Sequence, residues 1–306
     1  MVPPVQGGAV SAATVRALEA NLANAFGLRP FYGEVCNPCA GGDAVGVLVR
    51  LAFHDASGPN GADGCIDFST GENAGLQGAL GTVTAVWRPF AGSGISLADT
   101  IALAGALAIR HASTTSVNGG PTTRINGPLL LPTRFGRVDA ATCNDANSLP
   151  NLATGWPQLQ TLFGQKFGLT AAETVALMGA HTLGRCEAAN SGINGGWTRF
   201  QSSFDNSYFV RLISVGWRLR ADGTWRDNQN SLLIKGDTEL GIAPSGGCPA
   251  FAANFAARAG GTCPRNNAAA GFVQTFSTNT AAWWAAFRTA WQKMTEAGAV
   301  GLVSAA

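Results

Sequence analysis

Charged residues are scarce in this chain of 306 residues: they make up 12% of the sequence, against roughly 25% in an ordinary soluble domain. The formal net charge is only +2 and the basic residues form no runs, which excludes the basic footprint of a nucleic-acid-binding protein. Long apolar runs are also lacking. The longest candidate, LADTIALAGALAI, is interrupted by Asp99, so we expect a buried helix there and no membrane span. The length suits one large domain or two lobes with an ample core.

The chain also lacks an even set of cysteines, since it has seven, and at least one is therefore unpaired or bonds outside the chain. Cys36 and Cys39 form a C-x-x-C motif, but no second such pair or histidine pair follows at zinc-finger spacing, so we favour disulfides over zinc. The sequence starts without the basic and apolar regions of a secretion signal. Either the protein is cytosolic or Met1 begins a mature form. Because disulfides persist in oxidising compartments, we expect a secreted rather than an intracellular protein.

Hydrophobic periodicity predicts a mostly α-helical protein with little β-structure. Ser96 with Asp99 indicates a helix start, and Thr170 with Glu173 has the pattern of a capping box. The Gly-, Pro- and Asn-rich spacers are too long for a simple bundle, and loops of that length usually line a site. The predicted helices cover residues 10–26, 43–56, 96–111, 156–167, 170–183, 205–215, 249–258 and 279–297.

The stretch LVRLAFHDA, residues 48–56, places polar side chains on an apolar helix. Residues three or four apart share one helix face, so Arg50, Phe53 and His54 form one local surface. An arginine above a histidine is a poor structural pair, because neither neutralises the other. His54 is therefore either a satisfied core residue beside an exposed arginine, or a proton acceptor next to a fixed cation that faces a developing anion.

A second apolar helix ends at a histidine, in the stretch ETVALMGAHTLGRCEAANSGINGGW of residues 173–197. The chain has three histidines in all. A buried histidine is most often a satisfied core residue, but a histidine near the end of an apolar helix is also a candidate haem ligand. Both interpretations are open for His181. We interpret His111, which has no such surroundings, as a surface or capping residue.

The segments Arg50-x-x-Phe53-His54 and GAHTLGRC resemble the distal and proximal signatures of the plant, fungal and bacterial haem peroxidase superfamily. Five further segments occur in the order that this family has, and the ordered set is far more specific than any one motif. They are ENAGL (72–76), SLADTIALAGALA (96–108), FGRVDA (135–140), SFDNSYF (203–209) and LLIKGDTEL (232–240).

The resemblance implies the fold of that family, which is mostly α-helical with haem b between two helical lobes. Residues 1–306 would form a single haem peroxidase domain. Its distal lobe would comprise residues 1–150 and its proximal lobe residues 151–280, with the C-terminal helix 279–297 packing back on the distal lobe. The resemblance also implies a monomer.

The resemblance further implies roles for the distal residues. His54 would take a proton from hydrogen peroxide and return it to the leaving oxygen, for which a neutral imidazole is suited. Arg50 would stabilise the negative charge that develops as the O–O bond lengthens. Asn73, in ENAGL, would accept the proton-bearing nitrogen of His54 and fix its tautomer. Phe53 stands where the intracellular members usually have Trp, and it is typical of the secreted fungal and plant peroxidases.

On the proximal side the resemblance makes His181 the axial ligand of the haem iron. Asp237, in KGDTEL, matches the aspartate that binds the far nitrogen of that histidine and stabilises high-valent iron. Trp197, 16 residues after His181, matches the proximal tryptophan of ascorbate and cytochrome c peroxidases and is expected to be hydrogen-bonded through Asp237. The chain is thus similar to a hybrid of an intracellular-type proximal side and a secreted-type distal side.

The resemblance implies a distal calcium site and a proximal cation site. Calcium takes six to eight oxygen ligands, and Cys65 stands where the distal site usually has a serine hydroxyl. At the proximal site, two hydroxyls and one carboxylate suit a monovalent ion better than calcium. The expected ligands are Asp55, the Gly61 carbonyl and Asp63 at the distal site, and Thr182, Thr198 and Asp205 at the proximal site.

The reducing substrate is less well defined than the reaction. Asp43 and Glu187 match two of the three acidic manganese ligands of fungal manganese peroxidases, while Val47 stands at the third. Asn190 and Gly42 stand where ascorbate peroxidases have a substrate-binding arginine and lysine. The resemblance therefore gives weak support to manganese and argues against ascorbate.

From these residues we expect a haem peroxidase that uses hydrogen peroxide to oxidise small phenolic or aromatic donors, and Mn(II), through high-valent iron–oxo intermediates. Its partners would be hydrogen peroxide and a small-molecule reductant, and its role a response to oxidative stress. A cytochrome c or ascorbate peroxidase is the alternative within the family. The alternatives of other classes are a haem-binding electron carrier or sensor, which needs no Arg50–His54 pair, and a haem-free helical interaction protein.

Overall fold

The computed structural model is mostly helical, as the sequence predicts, and its chain forms two compact units. The first unit lies within Met1–Thr115, Pro128–Leu149 and Trp291–Ala306, and the second within Ser116–Gly127 and Pro150–Ala290. The structure describes residues 10–28, 42–114, 128–143, 149–151, 154–215, 217–227, 230–241 and 267–306. The predicted helix 249–258 lies outside these residues, as do Cys36, Cys39, Cys248 and Cys263.

The first unit is built around one long buried helix. Its described elements are α1 (Ala12–Phe26), α2 (Gly42–Ala56), a 3-10 turn (Gly71–Asn73), α3 (Gln77–Trp87), a 3-10 turn (Arg88–Phe90) and α4 (Leu97–Thr114). A Cβ added at Gly105 of α4 would lie 2.8 Å from the Cβ of Ala52 in α2 and 2.9 Å from the Trp291 ring. The glycine thus allows the close approach that fixes α2 against α4.

A buried ion pair holds the beginning of α4. The Asp99 amide donates to Ser96 Oγ at 2.9 Å and the Ser96 amide donates to the Asp99 carboxylate at 3.3 Å, which confirms the predicted helix start. Arg137 donates to Asp99 Oδ1 at 2.8 Å and to the Thr295 carbonyl oxygen at 2.8 and 2.9 Å. Because neither side chain of the pair reaches solvent, removing one partner would leave a buried charge, at a cost of about 3–5 kcal/mol.

Two further links close the first unit. A disulfide joins Cys65 to Cys143, whose Cα atoms are 5.1 Å apart. An antiparallel bridge pairs Phe135 with Val303, with backbone hydrogen bonds of 2.8 and 2.9 Å. Both links join segments far apart in the sequence, and the disulfide restrains the loop that follows α2.

The second unit consists of short helices with two small sheets, which agrees with the prediction of little β-structure. Its helices are α5 (Trp156–Phe167), α6 (Ala171–Met178), α7 (Ala188–Ser191), α8 (Ser207–Ser214), α9 (Lys235–Gly241), α10 (Asn267–Thr278) and, up to Ala290, α11 (Thr280–Glu296). β1 (Arg185–Cys186) pairs antiparallel with β2 (Gly195–Gly196). β3 (Arg218–Leu219), β4 (Trp225–Arg226) and β5 (Leu232–Leu233) form an antiparallel sheet in that order.

The predicted helix 170–183 divides into two parts. The reciprocal hydrogen bonds between Thr170 and Glu173, at 2.7 and 3.3 Å, confirm the capping box at the start of α6. The α-helix ends at Met178, and a 3-10 turn continues from Gly179 to Thr182. A Cβ at Gly179 would lie 2.6 Å from Trp283 Nε1, so only glycine lets this turn pack so closely on the aromatic core.

Within the described part of the chain, no helix has both the length and the hydrophobicity that crossing a bilayer requires.

Candidate active site

In the first unit, the last turn of α2 presents His54 to the loop that follows the disulfide cysteine. Nδ1 of His54 lies 2.7 Å from Oδ1 of Asn73. The Asn73 amide nitrogen donates to the carbonyl oxygen of Asp67 at 2.8 Å, which orients the amide so that its oxygen faces the imidazole. Because an amide oxygen can only accept, Nδ1 of His54 carries the proton and Nε2 is an acceptor. The structure thus brings the predicted pair together and fixes the tautomer.

The 3-10 turn that contains Asn73 also holds the Arg50 side chain. Its Nη1 donates to the carbonyl oxygen of Ala74 at 2.9 Å, and its Nη2 donates to that of Glu72 at 2.7 Å. The turn is closed by the Ala74 amide, which donates to the Gly71 carbonyl oxygen. Sequence reasoning assigned only Asn73 to this segment. It missed the two carbonyl groups because backbone acceptors have no residue signature.

Burial and charge keep His54 neutral. Burial lowers the pKa of His54 from 6.5 to about 3, the positive charge of Arg50 adds to this effect, and the hydrogen bond to Asn73 opposes it. The Phe53 ring packs edge-on against the imidazole, with 5.8 Å between ring centroids. A neutral imidazole with an accepting Nε2, next to a fixed guanidinium, can take a proton from a weakly acidic ligand.

In the second unit, His181 lies in the 3-10 turn after α6, and Asp237 lies in the first turn of α9. Nδ1 of His181 is 2.7 Å from Oδ1 of Asp237, whose side chain is fully buried. Oδ2 of Asp237 accepts the backbone amide of Ile234 at 3.0 Å and thereby caps α9. Among the described residues, none bonds to Nε2 of His181, so the nitrogen that a metal would use is available.

A short hairpin returns the chain to His181. The register pairs Arg185 of β1 with Gly196 of β2. Trp197, the residue after β2, therefore lies next to the 3-10 turn that precedes β1 and contains His181. The indole stacks on the His181 ring at 4.0 Å, with 4° between the planes. The expected hydrogen bond to Asp237 is not found: no bond within the described residues joins it to Trp197.

Tyr208 takes the place at the carboxylate where the tryptophan was expected. Its hydroxyl donates to Oδ1 of Asp237 at 2.7 Å. Burial raises the pKa of Tyr208 well above its usual value, and the charge of Asp237 and the hydrogen bond raise it further, so the hydroxyl stays a donor. Tyr208 lies in the segment SFDNSYF, but no role was predicted for it from the sequence. Its rarity was the available signal, since the chain has only two tyrosines.

The predicted proximal cation ligands lie together in the second unit. Thr182 Oγ1 donates to Asp205 Oδ1 at 3.3 Å, and Thr198 Oγ1 donates to the Thr182 carbonyl oxygen at 2.9 Å. All three side chains are buried, and this burial raises the pKa of Asp205, with hydrogen bonds from Ser207, Ser203 and Thr182 opposing it. The oxygens form a cluster that could hold a small cation.

At the predicted distal calcium site, Asp55 and Asp63 are buried at the end of α2 and in the next loop. Asp55 Oδ1 accepts the Gly64 amide at 2.7 Å, whereas its buried Oδ2 has no partner among the described residues. Cys65 is held in the disulfide and offers no oxygen. In the part of the chain that the structure describes, no three His, Cys, Asp or Glu side chains cluster as metal ligands, so carbonyl oxygens such as that of Gly61 would be needed.

The predicted manganese residues are described unequally. Asp43 lies in α2, but its side chain is outside the described part of the structure. Glu187 is exposed and forms an ion pair with Arg185 at 2.7 Å. The pairing ties up one of the two carboxylates.

Comparison with known proteins gives one family match. The family model described as Peroxidase matches residues 36–245, more than half of the chain. The matched range includes both histidines and their hydrogen-bonding partners.

Several relatives align with part of the chain. The L-ascorbate peroxidase 1, cytosolic, of Oryza sativa subsp. indica is 35% identical over 178 residues, which cover 55% of this chain and 65% of the relative. The L-ascorbate peroxidase 3 of Arabidopsis thaliana is 36% identical over 177 residues, covering 55% of this chain and 56% of the relative. A protein of Pyricularia oryzae named as a heme-binding peroxidase is 36% identical over 193 residues, covering 58% of each chain. The chain thus spans between half and two thirds of these relatives.

The neutral, buried state of His54 predicts a pH-dependent stability. The folded protein keeps His54 neutral down to about pH 3, while the unfolded chain binds a proton near pH 6.5. Its contribution is therefore complete above pH 6.5 and is lost as the pH falls towards 3. Between pH 7 and pH 5 we expect His54→Gln to lose about 2 kcal/mol less stability than the wild type, measured by urea unfolding.

His111→Gln is the matched control, because His111 is only half-buried at the end of α4 and should keep most of the wild-type pH dependence. If the free energy of unfolding changes equally with pH in the wild type and in His54→Gln, His54 is not held neutral in the folded protein.

Proposed function

Because this chain belongs to the plant, fungal and bacterial haem peroxidase superfamily, we propose that it binds haem through His181 and uses hydrogen peroxide to oxidise small electron donors. The observation that carries the proposal is shared by His54 and His181. Each has Nδ1 tied to a side-chain oxygen 2.7 Å away, which leaves Nε2 for chemistry. One of them is kept neutral beside a guanidinium, as a proton acceptor requires, and the other is backed by a carboxylate, as a metal ligand requires.

The residues of the second unit fit haem as a cofactor. His181 offers Nε2 in the tautomer that iron binds, and Asp237 fixes the orientation of the ring. Haem would supply an iron centre that peroxide oxidises by two electrons and that small reductants restore. Trp197, stacked on the imidazole, would store one oxidising equivalent as an indole radical.

The residues of the first unit account for proton transfer. Nε2 of His54 would take a proton from one oxygen of hydrogen peroxide and return it to the other oxygen, which would leave as water. Arg50 would stabilise the negative charge that grows on the leaving oxygen, and its two carbonyl partners hold it in position. Asn73 would keep the imidazole in the accepting tautomer throughout.

We propose that a monovalent cation is held by Thr182, Thr198 and Asp205. Support comes from their contacts and from the cost of burying an ionised carboxylate without a counter-charge. A distal calcium at Asp55, Gly61 and Asp63 is a weaker proposal. The partnerless Oδ2 of Asp55 supports it, whereas the loss of a hydroxyl at Cys65 weakens it.

Phenolic or aromatic compounds are our proposed reductants. Ascorbate is a second candidate, because relatives of this chain are named ascorbate peroxidases. Against it, Asn190 is neutral and Gly42 has no side chain, so neither can hold an anion as arginine and lysine do. The disulfide at Cys65 supports an exported protein, whereas some relatives carry cytosolic or peroxisomal names. The secreted location therefore stays a prediction.

Replacing His54 should separate haem binding from peroxide activation. We expect His54→Ala to bind haem normally and to react with hydrogen peroxide about 10²- to 10⁴-fold more slowly, because general acid–base catalysis contributes that much. Stopped-flow absorbance of the haem band after mixing with peroxide measures this rate. His111→Ala should react as the wild type does, and an unchanged rate in His54→Ala would remove His54 from the reaction.

The Arg185–Glu187 ion pair predicts weak use of Mn(II). Arg185 competes with the metal for the carboxylate, so Arg185→Ala should lower the Mn(II) concentration needed for half-maximal turnover by about two- to fivefold, the range expected of an exposed pair. Steady-state Mn(III) formation in a chelating buffer measures this. Arg199→Ala is the control, since it removes an exposed arginine that packs over Phe200. Absence of Mn-dependent turnover in every variant would dismiss Glu187 as a manganese ligand.

A further inference from the structure

Tyr208 reaches the carboxylate that holds the candidate haem ligand. It is the second residue of α8, it is buried, and its hydroxyl lies 2.7 Å from Oδ1 of Asp237. Nδ1 of His181 lies 2.7 Å from the same oxygen atom. The second carboxylate oxygen is occupied by the Ile234 amide. Two side-chain donors therefore share one oxygen of a carboxylate that has no contact with water.

Sharing an acceptor weakens each of the bonds made to it. A hydroxyl donor stabilises negative charge on Asp237 and makes the carboxylate a poorer acceptor for the imidazole proton. When the carboxylate accepts the Nδ1 proton less strongly, the imidazole has less anionic character. Its Nε2 is then a weaker electron donor. We propose that Tyr208 is a positioning residue that limits the electron donation of His181 to iron by competing with it for Asp237.

The ring of Tyr208 has a packing role that must be separated from the role of its hydroxyl. It lies edge-on to His181, with centroids 6.0 Å apart, and edge-on to Phe209 at 5.1 Å. Tyr208→Phe keeps the ring and removes only the donor. Because the hydroxyl bonds to Asp237 and the ring does not, the substitution isolates the competition for the carboxylate.

The inference rests on the proposed haem binding, so its first test uses the haem-loaded protein. In Tyr208→Phe we expect a higher iron–histidine stretching frequency in the ferrous resonance Raman spectrum. We also expect the ferric form to be favoured about three- to tenfold more than in the wild type. A tenfold change in this one-electron equilibrium lowers the midpoint potential by about 59 mV. An unchanged frequency and potential with haem bound through His181 would overturn the proposal.

A second measurement needs no haem. With three histidines in the chain, selective ¹⁵N labelling of histidine gives a simple NMR spectrum, in which the His181 signals are those lost in His181→Gln. In the haem-free chain of 306 residues, Tyr208→Phe should move the His181 Nδ1 proton downfield as its bond to Asp237 strengthens. If the chain takes up no haem, the proposed function fails, while this shift still decides the role of Tyr208.

Phe209→Leu is the matched control. Phe209 is as buried as Tyr208 and packs against its ring, but it makes no hydrogen bond to Asp237. We expect its His181 Nδ1 proton to stay within the wild-type range. Equal shifts in Phe209→Leu and Tyr208→Phe would assign the effect to packing and overturn the proposal.

Discussion

The buried carboxylate of Asp237 is the group on which the second unit's candidate chemistry depends. A carboxylate without access to water must be compensated by donors, and the described residues supply three: the His181 imidazole, the Tyr208 hydroxyl and the Ile234 amide. One of these bonds starts a helix and another orients the imidazole of a candidate metal ligand. A change at Asp237 therefore alters local folding and ligand strength together, and the two effects need separate measurements.

In the first unit, too, the charged and polar groups of the candidate site are held by hydrogen bonds. Few residues of the chain are ionisable, and those placed near His54 act through fixed contacts. One turn, residues 72–74, holds the Arg50 guanidinium by two carbonyl oxygens and the His54 ring by one amide oxygen. Burial lowers the pKa of His54, and the Arg50 guanidinium held at this turn lowers it further, so the imidazole stays neutral. Helix α2 is in turn set by its close packing at Gly105.

Local patterns predicted much of this arrangement. Interactions within one or two helical turns determine where the helices at Ser96 and Thr170 begin. They also place Arg50 and His54 on one helix face. The helix around His181 was predicted as too long an α-helix, because the 3-10 turn from Gly179 depends on the distant Trp283 ring.

Only some of the long-range contacts could be predicted from the sequence. The family resemblance pointed to the pairs His54–Asn73 and His181–Asp237, which are 19 and 56 residues apart. Periodicity alone could not have found them. The bond from Tyr208 to Asp237 was missed, because the resemblance led us to expect Trp197 as the neighbour of that carboxylate. The sequence does not show whether Trp197 stacks on His181 or donates a hydrogen bond to Asp237. Only the geometry distinguishes the two contacts.

Ligand replacement at His181 tests the central claim most directly. The wild-type chain and His181→Gly would be loaded with ferric haem and compared by absorbance and electron paramagnetic resonance, with and without added imidazole. The account predicts a five-coordinate ferric haem in the wild type, its loss in His181→Gly, and its recovery when free imidazole fills the space. A His181→Gly spectrum identical to that of the wild type without imidazole would contradict it.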